Sequence, residues 1–202
     1  MSLRTAGIRA RVNVRQKGRG RVRAAGLAMI IAVGVCAVCG GDARAKVFYA
    51  RDEALVLAFP NADRTEARNF FLTPEQHSAI ETRARAPLES NLVTVYVGYR
   101  GDQRVGYAVL DTHVVRTLPE TFLVVLTPDG QIANTHLLAF YEPLEYLPGE
   151  RWVGQFGGKR LGDDLVVGRG VAAITGSTLT SRAVTDGIRR ALGIYAVLLG
   201  EK

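Results

Sequence analysis

Two consecutive hairpin patterns in the middle of the chain constrain its fold more than any other feature. The stretch from Asn91 to Val115, NLVTVYVGYRGDQRVGYAVLDTHVV, contains two strand-like runs around a Gly-Asp turn. The stretch from Thr121 to Phe140, TFLVVLTPDGQIANTHLLAF, repeats the pattern around Pro-Asp-Gly. Runs rich in β-branched and aromatic residues that are separated by such turns are typical of β-hairpins. Four strands joined in this way predict an antiparallel sheet.

Helical patterns flank these strands on both sides. Residues 49–60 have apolar side chains at helical spacing, and residues 73–87 begin with Thr-Pro-Glu, which is a signature of a helix N-terminus. A short helical piece is predicted at 150–156, and a long amphipathic helix at 178–199, where apolar residues recur every three or four positions. The predicted fold is therefore α+β, an antiparallel sheet of hairpins with packed helices and a C-terminal amphipathic helix.

Residues 1–45 have the composition of an export signal. They hold nine of the 26 Lys and Arg but only one of the 19 Asp and Glu, and the uncharged run Ala24–Gly41 precedes Ala43-Arg44-Ala45. A basic segment, an apolar segment and small residues before the cleavage point are the parts of a signal peptide. The alternative is a retained N-terminal anchor, because the uncharged run is long enough to just span a bilayer. Both interpretations predict an exported protein that is periplasmic or at the cell envelope and associated with the membrane.

The remaining residues, 46–202, carry 17 basic and 18 acidic side chains, a net charge of −1. They offer no excess positive charge for a phosphate backbone, so no nucleic-acid partner is expected. Both cysteines lie in residues 1–45, and the three histidines have no metal-binding spacing, although His136 lies close to the loop that follows the strands. We divide the chain into the signal segment, a helical N-terminal part at 46–91, and a functional domain at 92–202.

Hydroxyl side chains cluster around one glycine, Gly176, at the entrance of the predicted C-terminal helix. The hydroxyl-bearing residues are Thr175, Ser177, Thr178, Thr180 and Ser181. Ser and Thr cap helices, but five hydroxyls exceed what one cap requires. A helix N-terminus also binds phosphate through its free N–H groups, and a glycine there permits close approach or a positive φ. The residues alone leave two interpretations open, a phosphate-binding entrance and an over-provided cap.

The segment AAITGSTLTSRAV resembles the flavin-attachment motif of the FMN-binding domain family. That family includes the periplasmic G subunit of Rnf-type electron-transport complexes and the C subunit of the sodium-translocating NADH:quinone oxidoreductase. Ser177 replaces an Ala of the family pattern, and Ala172 occupies the position of its Asp. The stretches QRVGYAVL, LVVLTPDGQIANTHLL and LPGERWVGQFGGKRL follow the family's order, so the resemblance extends from Leu92 to Leu192.

The resemblance implies that FMN is joined through its phosphate to Thr178 by a flavin transferase that uses FAD and magnesium. Residues 92–202 would form the FMN-binding domain of an exported electron carrier, which exchanges electrons with membrane redox proteins and is not a self-contained enzyme. The alternatives are a module that binds flavin or another phosphate ligand without a covalent bond, and a structural envelope domain that has lost the flavin. The implied cofactor-binding residues are Thr175, Gly176, Ser177, Thr178, Leu179, Thr180 and Ser181.

We expect the mature protein to begin at Lys46. The small residues Ala43 and Ala45 after an uncharged run are the positions that a signal peptidase recognises. N-terminal sequencing of the protein from an envelope fraction measures this directly. Recovery of the chain with residues 1–45 intact would instead support the retained anchor.

Overall fold

The computed structural model describes residues 46–200. A six-stranded antiparallel sheet lies at its centre, with the strand order β1-β6-β5-β4-β3-β2. The strands are β1 Lys46–Val47, β2 Arg64–Phe71, β3 Leu92–Arg100, β4 Gln103–Val114, β5 Pro119–Leu126 and β6 Ile132–Phe140. The helices are α1 Arg51–Ala58, α2 Pro74–Ala84, α3 Glu150–Val153 and α4 Thr178–Leu198, with 3-10 turns at Leu144–Tyr146 and Gly154–Phe156.

The predicted α+β architecture is confirmed, including the two hairpins and the long C-terminal helix. The predicted signal segment, with Cys36 and Cys39, lies outside the described residues. Within residues 46–200, no helix has the length and apolar character needed to cross a membrane.

The sheet also contains two strands that the sequence patterns did not predict. β2 lies between the two N-terminal helices, in a part of the chain predicted to be helical, and β1 adds two residues beside β6. Seven of the eight β2 residues are exposed and Phe70 is half-buried, so neither face of this strand carries the apolar alternation that burial imposes.

Each face of the sheet packs against helices. One face forms the larger core with α2 and α4, and its buried residues include Val184, Ile188 and Leu192 of α4. The other face packs against α1 in a smaller core around Phe59 and Leu123. The amphipathic character predicted for α4 is therefore confirmed, because its apolar face packs against the sheet.

A buried group of ionisable side chains joins α4 to the sheet; we call it the charge cluster, and it consists of Asp111, His113, Glu120 and Arg190. The Arg190 guanidinium donates to both carboxylate oxygens of Asp111 at 2.7 Å. The His113 ring contacts Asp111 through Nδ1 at 2.6 Å and Glu120 through Nε2 at 3.1 Å. No sequence pattern predicted a chemical role for these residues, and their contacts here are structural.

The charge cluster keeps His113 protonated. Burial opposes the charged ring, but hydrogen bonds to Asp111 and Glu120 outweigh this effect and raise the pKa of His113 to about 9. Burial also raises the pKa of Glu120, against the opposing influence of the His113 ring. The two raised pKa values act in different pH ranges. The contribution of His113 is lost between pH 6.5 and about 9, whereas that of Glu120 is present in acid and falls as the pH rises above 4.5.

We expect His113→Gln to lower the free energy of unfolding near neutral pH. The free energy of unfolding of the variant should also change less with pH in the alkaline range. The pKa of His113 rises from 6.5 to about 9 on folding, so the protonated ring stabilises the protein fully below pH 6.5 and this contribution is lost through pH 9. The shift corresponds to on the order of 3 kcal/mol.

Urea unfolding of the parent and of His113→Gln at neutral pH and above the raised pKa measures this contribution. The difference between the two proteins should shrink at the higher pH. A difference that is unchanged there would show that packing of the ring on Phe122, and not its charge, provides the stability.

Candidate functional site

No side chain of residues 46–200 caps the entrance of α4. Ser177 occupies the N-cap position without capping the helix through its hydroxyl, and the first turn contains no acidic residue. By contrast, α2 has a complete capping box, in which Thr73 Oγ1 accepts from Gln76 N at 3.2 Å and Gln76 Oε1 accepts from Thr73 N at 3.0 Å. The first N–H groups of α4 are therefore available to a ligand, despite the hydroxyls around them.

The five hydroxyl residues fall into an exposed pair and a buried group. Thr175 and Thr178 are exposed, whereas Ser177, Thr180 and Ser181 are buried. Thr178 is the first residue of the helix, and Leu179 beside it is 45% exposed. The structure thus places all of the predicted site residues at one helix entrance, but only Thr175 and Thr178 present their hydroxyl-bearing side chains to solvent.

Ser181 holds the loop that leads into the helix. Its Oγ accepts from Ile174 N at 3.0 Å and donates to Ser177 O at 3.0 Å. This fully buried side chain therefore fixes the turn on which Gly176 lies. Its role is structural, since both of its observed bonds go to the backbone of the entrance.

The Ser177 hydroxyl is the unusual member of the buried group. Ser177 is 3% exposed, and its Oγ has no hydrogen-bond partner among the described residues. A buried hydroxyl without a partner costs free energy, so this atom is suited to bond a polar group that reaches the entrance. The uncapped N–H groups and this hydroxyl lie at the same helix end.

The backbone conformation of Gly176 favours glycine. Its φ is +81°, in the left-handed region that favours glycine. A Cβ atom added at this position would meet nothing within 4 Å. Of the two reasons that the sequence offered for this glycine, the structure therefore supports the positive φ.

The segment before the turn is held by the α3 region. Trp152 Nε1 donates to Ala172 O at 2.6 Å, and Ala172 N donates to Gln155 Oε1 at 2.8 Å. Both backbone groups of Ala172 are thus occupied, while its side chain is exposed. Sequence reasoning did not predict this use of Trp152, because the contact joins loops that are distant along the chain.

A separate cavity of about 490 Å³ lies between the edge of β6 and the loop at 147–154. It is lined by His136, whose Nε2 has no hydrogen-bond partner among the described residues and whose pKa is lowered by burial. The α4 entrance does not line this cavity, so His136 is not brought to the hydroxyl cluster. Residues 46–200 contain no group of His, Cys, Asp and Glu arranged to hold a metal ion.

Comparison with known proteins identifies similar sequences. The model of the FMN-binding domain family matches residues 118–193. The G subunit of the Na(+)-translocating ferredoxin:NAD(+) oxidoreductase complex of Acetobacterium woodii is 32% identical over 115 residues, which cover 52% of this chain and 56% of that protein. The regulatory protein NosR of Stutzerimonas stutzeri is 24% identical over 183 residues, which cover 82% of this chain and 22% of that protein.

The predicted resemblance to the FMN-binding domain family is confirmed for the matched stretch, which includes the whole hydroxyl cluster. The match begins at Leu118, whereas the sequence motifs predicted a resemblance from Leu92, so β3 and β4 precede the matched range. The chain spans about half the length of the A. woodii protein and about a fifth of NosR. Residues 118–193 therefore resemble the FMN-binding domain family, and part of the chain is similar to the G subunit of an oxidoreductase complex.

We expect Gly176→Ala to destabilise the protein by about 1 kcal/mol, because alanine adopts a positive φ only with strain. Gly154→Ala is the matched control, since Gly154 has a φ of −60° and open space around its Cβ position. Urea unfolding of both variants measures the effect. Equal stability of the two variants would contradict a conformational role for Gly176.

Proposed function

We propose that this protein is an exported FMN-binding electron carrier whose flavin is linked through its phosphate to Thr178. The main support is the uncapped entrance of α4, where an exposed threonine hydroxyl lies beside N–H groups without side-chain partners. This entrance falls within the stretch matched by the FMN-binding domain.

The residues at the entrance fit a phosphate group. A phosphodiester carries a negative charge, which the N–H groups and the dipole of a helix N-terminus stabilise. The partnerless Ser177 hydroxyl supplies a further donor, and the first turn of α4 has no carboxylate that would repel the phosphate. Thr178 and Ser177 would therefore hold the phosphate, with the backbone of the first turn behind it.

Exposure supports Thr178 over the buried hydroxyls as the acceptor of the flavin. A transferase must reach the hydroxyl, and Thr180 and Ser181 are 3% and 0% exposed. When the Thr178 oxygen bonds to the flavin-side phosphorus of FAD, the bond from that phosphorus to the oxygen of AMP breaks and the hydroxyl proton leaves to a base. Thr175 is also exposed, but it precedes the helix and lies on the far side of Gly176.

Bound FMN would supply the redox chemistry, while the protein supplies its position and electrostatic surroundings. Leu179 offers an exposed apolar surface next to the attachment point, and α3 supports the segment that precedes it through Trp152. Since the entrance is at the surface, the protein can exchange electrons with partners that approach from solvent.

The sequence and its relatives support the proposed partners and location. The basic and uncharged pattern of residues 1–45 supports export to the periplasm or cell envelope. Similarity to the G subunit of a Na(+)-translocating ferredoxin:NAD(+) oxidoreductase complex supports membrane redox proteins as partners. The resemblance of the segment around Thr178 to the flavin-attachment motif supports a flavin transferase as the enzyme that loads the cofactor. One observation favours non-covalent binding as a second candidate, namely Ala172 at the position of the family's Asp.

We expect Thr178→Val to abolish covalent flavin attachment, because it keeps the shape of the side chain and removes the acceptor oxygen. Co-expression with a flavin transferase followed by intact mass measurement should show the parent heavier by FMN less one water and Thr178→Val without this gain. Thr175→Val is the control for loss of an exposed hydroxyl, and Thr180→Val for loss of a buried one. Both should retain the adduct, and an adduct on Thr178→Val would refute the assignment.

We expect Ala172→Asp to increase the fraction of protein that carries flavin. The Ala172 side chain is exposed, so a carboxylate there is accommodated and restores the acidic group of the family pattern. The same mass measurement after a short induction quantifies this fraction. If the parent and Ala172→Asp both remain colourless with an active transferase, the covalent carrier is excluded. Colour that is lost on denaturation would support the non-covalent candidate.

A further inference from the structure

The outer edge of β2 is an unprotected strand edge. Within the described chain β2 has one neighbouring strand, β3, and the two pair without a bulge from Arg64 to Phe71. Both faces of β2 are exposed, and Phe71 at its end is 81% exposed. Edge strands present free N–H and C=O groups that pair with another strand unless proline, bulges or repelling charges prevent it. This edge contains neither a proline nor a bulge.

The hydrogen-bond pattern shows which backbone groups face outward. Leu72 N donates to Asn91 O at 2.8 Å, and these residues are opposite each other in the register that continues from β2 and β3. Alternate residues of an antiparallel strand bond to the same neighbour, so the even-numbered residues of β2 bond to β3. Thr65, Ala67 and Asn69 therefore direct their N–H and C=O groups to the free edge.

We propose that β2 pairs with β2 of a second copy of this chain, antiparallel and about a two-fold axis at Ala67. The two sheets then form one continuous sheet across the dimer. In this register Ala67 is opposite its own copy and Thr65 is opposite Asn69, so all the outward backbone groups pair with each other. The small Ala67 side chains meet at the axis, where a large residue would contact itself.

Charge complementarity and the length of paired strand together favour this register. Glu66 of each copy is opposite Arg68 of the other, on both sides of the axis, in the positions where opposed side chains are closest. An axis at Glu66 would place Glu66 against itself and Arg64 against Arg68. An axis at Arg68 would place Arg68 against itself, so neither neighbouring register is compatible with the charges. An axis at Thr65 would also place Arg64 opposite Glu66, but only the first residues of β2, Arg64 to Glu66, would then be paired.

The alternating charges along β2 distinguish its edge from a strand edge that is protected against pairing. A strand edge with charges of one sign repels a copy of itself, whereas the sequence Arg64, Glu66, Arg68 attracts one. Within one protomer Glu66 lies 3.1 Å from Arg64 and 3.9 Å from Arg68, and these side chains are about half exposed. Such exposed ion pairs contribute little to stability. Little free energy is therefore lost when Glu66 gives up its contacts within one protomer to contact Arg68 of a partner protomer.

Cysteine cross-linking tests the register. In the full chain purified in detergent, with Cys36→Ser and Cys39→Ser, we introduce Ala67→Cys. Opposed residues of a hydrogen-bonded pair have Cα atoms about 5.5 Å apart, which a disulfide bridges. The control is Thr65→Cys, because two Thr65 positions would be about 13 Å apart along the strand. Under copper–phenanthroline oxidation in air, Ala67→Cys should form a cross-linked dimer and Thr65→Cys should not. Equal cross-linking of the two, or none, would overturn the proposal.

Charge reversal tests the cause of pairing. Glu66→Arg places an arginine opposite Arg68 at two positions in each dimer. The repulsion should raise the dimer dissociation constant at least about tenfold. The combined variant Glu66→Arg/Arg68→Glu restores opposite charges and should return the constant to within about threefold of the parent. Sedimentation equilibrium of the full chain in density-matched detergent measures these constants. A monomeric parent at tens of micromolar, or a combined variant as weak as Glu66→Arg, would reject pairing through β2.

Discussion

The position of α4 depends on the charge cluster that joins it to the sheet. Buried ionised groups are costly unless opposite charges compensate them, and here Arg190 bonds both oxygens of Asp111 while His113 links Asp111 to Glu120. Arg190 is the one member on α4, so its two-point bond fixes both the height and the rotation of the helix against β4. Gly187 makes this possible, because a Cβ atom there would lie 2.5 Å from Asp111 Oδ1.

The entrance of α4 lies about 18 Å from Arg190 along the helix axis, too far for the charge cluster alone to hold the turn before it. That turn has its own supports, in which Ser181 binds the backbone on both sides of Gly176 and Trp152 binds Ala172. The rest of the helix is therefore anchored by charge and packing, and the first turn by hydrogen bonds to backbone. At this fixed position the Thr175 and Thr178 side chains are exposed, and the buried Ser177 hydroxyl has no partner among the described residues.

The sequence predicted the elements whose pattern reflects burial and missed those whose pattern does not. β3 to β6 and α4 bury apolar faces, and their periodicity was visible; β2 exposes both faces, so its charged alternation did not indicate a strand. The charge cluster also escaped prediction, because Asp111 and His113 meet Arg190 only through tertiary contact. The spacing of Asp111 and His113, two apart on a strand, was the available signal that they share a face. At the entrance, the motif located every hydroxyl, but their division into buried and exposed groups required the fold.

The exposure of the entrance gives a physical reason for a covalent flavin under the proposed function. A helix terminus stabilises an anion by about 0.3–1 kcal/mol at an exposed position. Micromolar binding requires about 8 kcal/mol, which other ligands obtain by burial in a pocket. Thr178 is exposed and Leu179 provides only a partly open apolar surface, so the entrance buries little of a ligand. A phosphoester bond to Thr178 would retain the flavin independently of this weak affinity. The same exposure leaves the bound flavin accessible to redox partners, so an open site and a covalent bond are complementary requirements of an electron carrier.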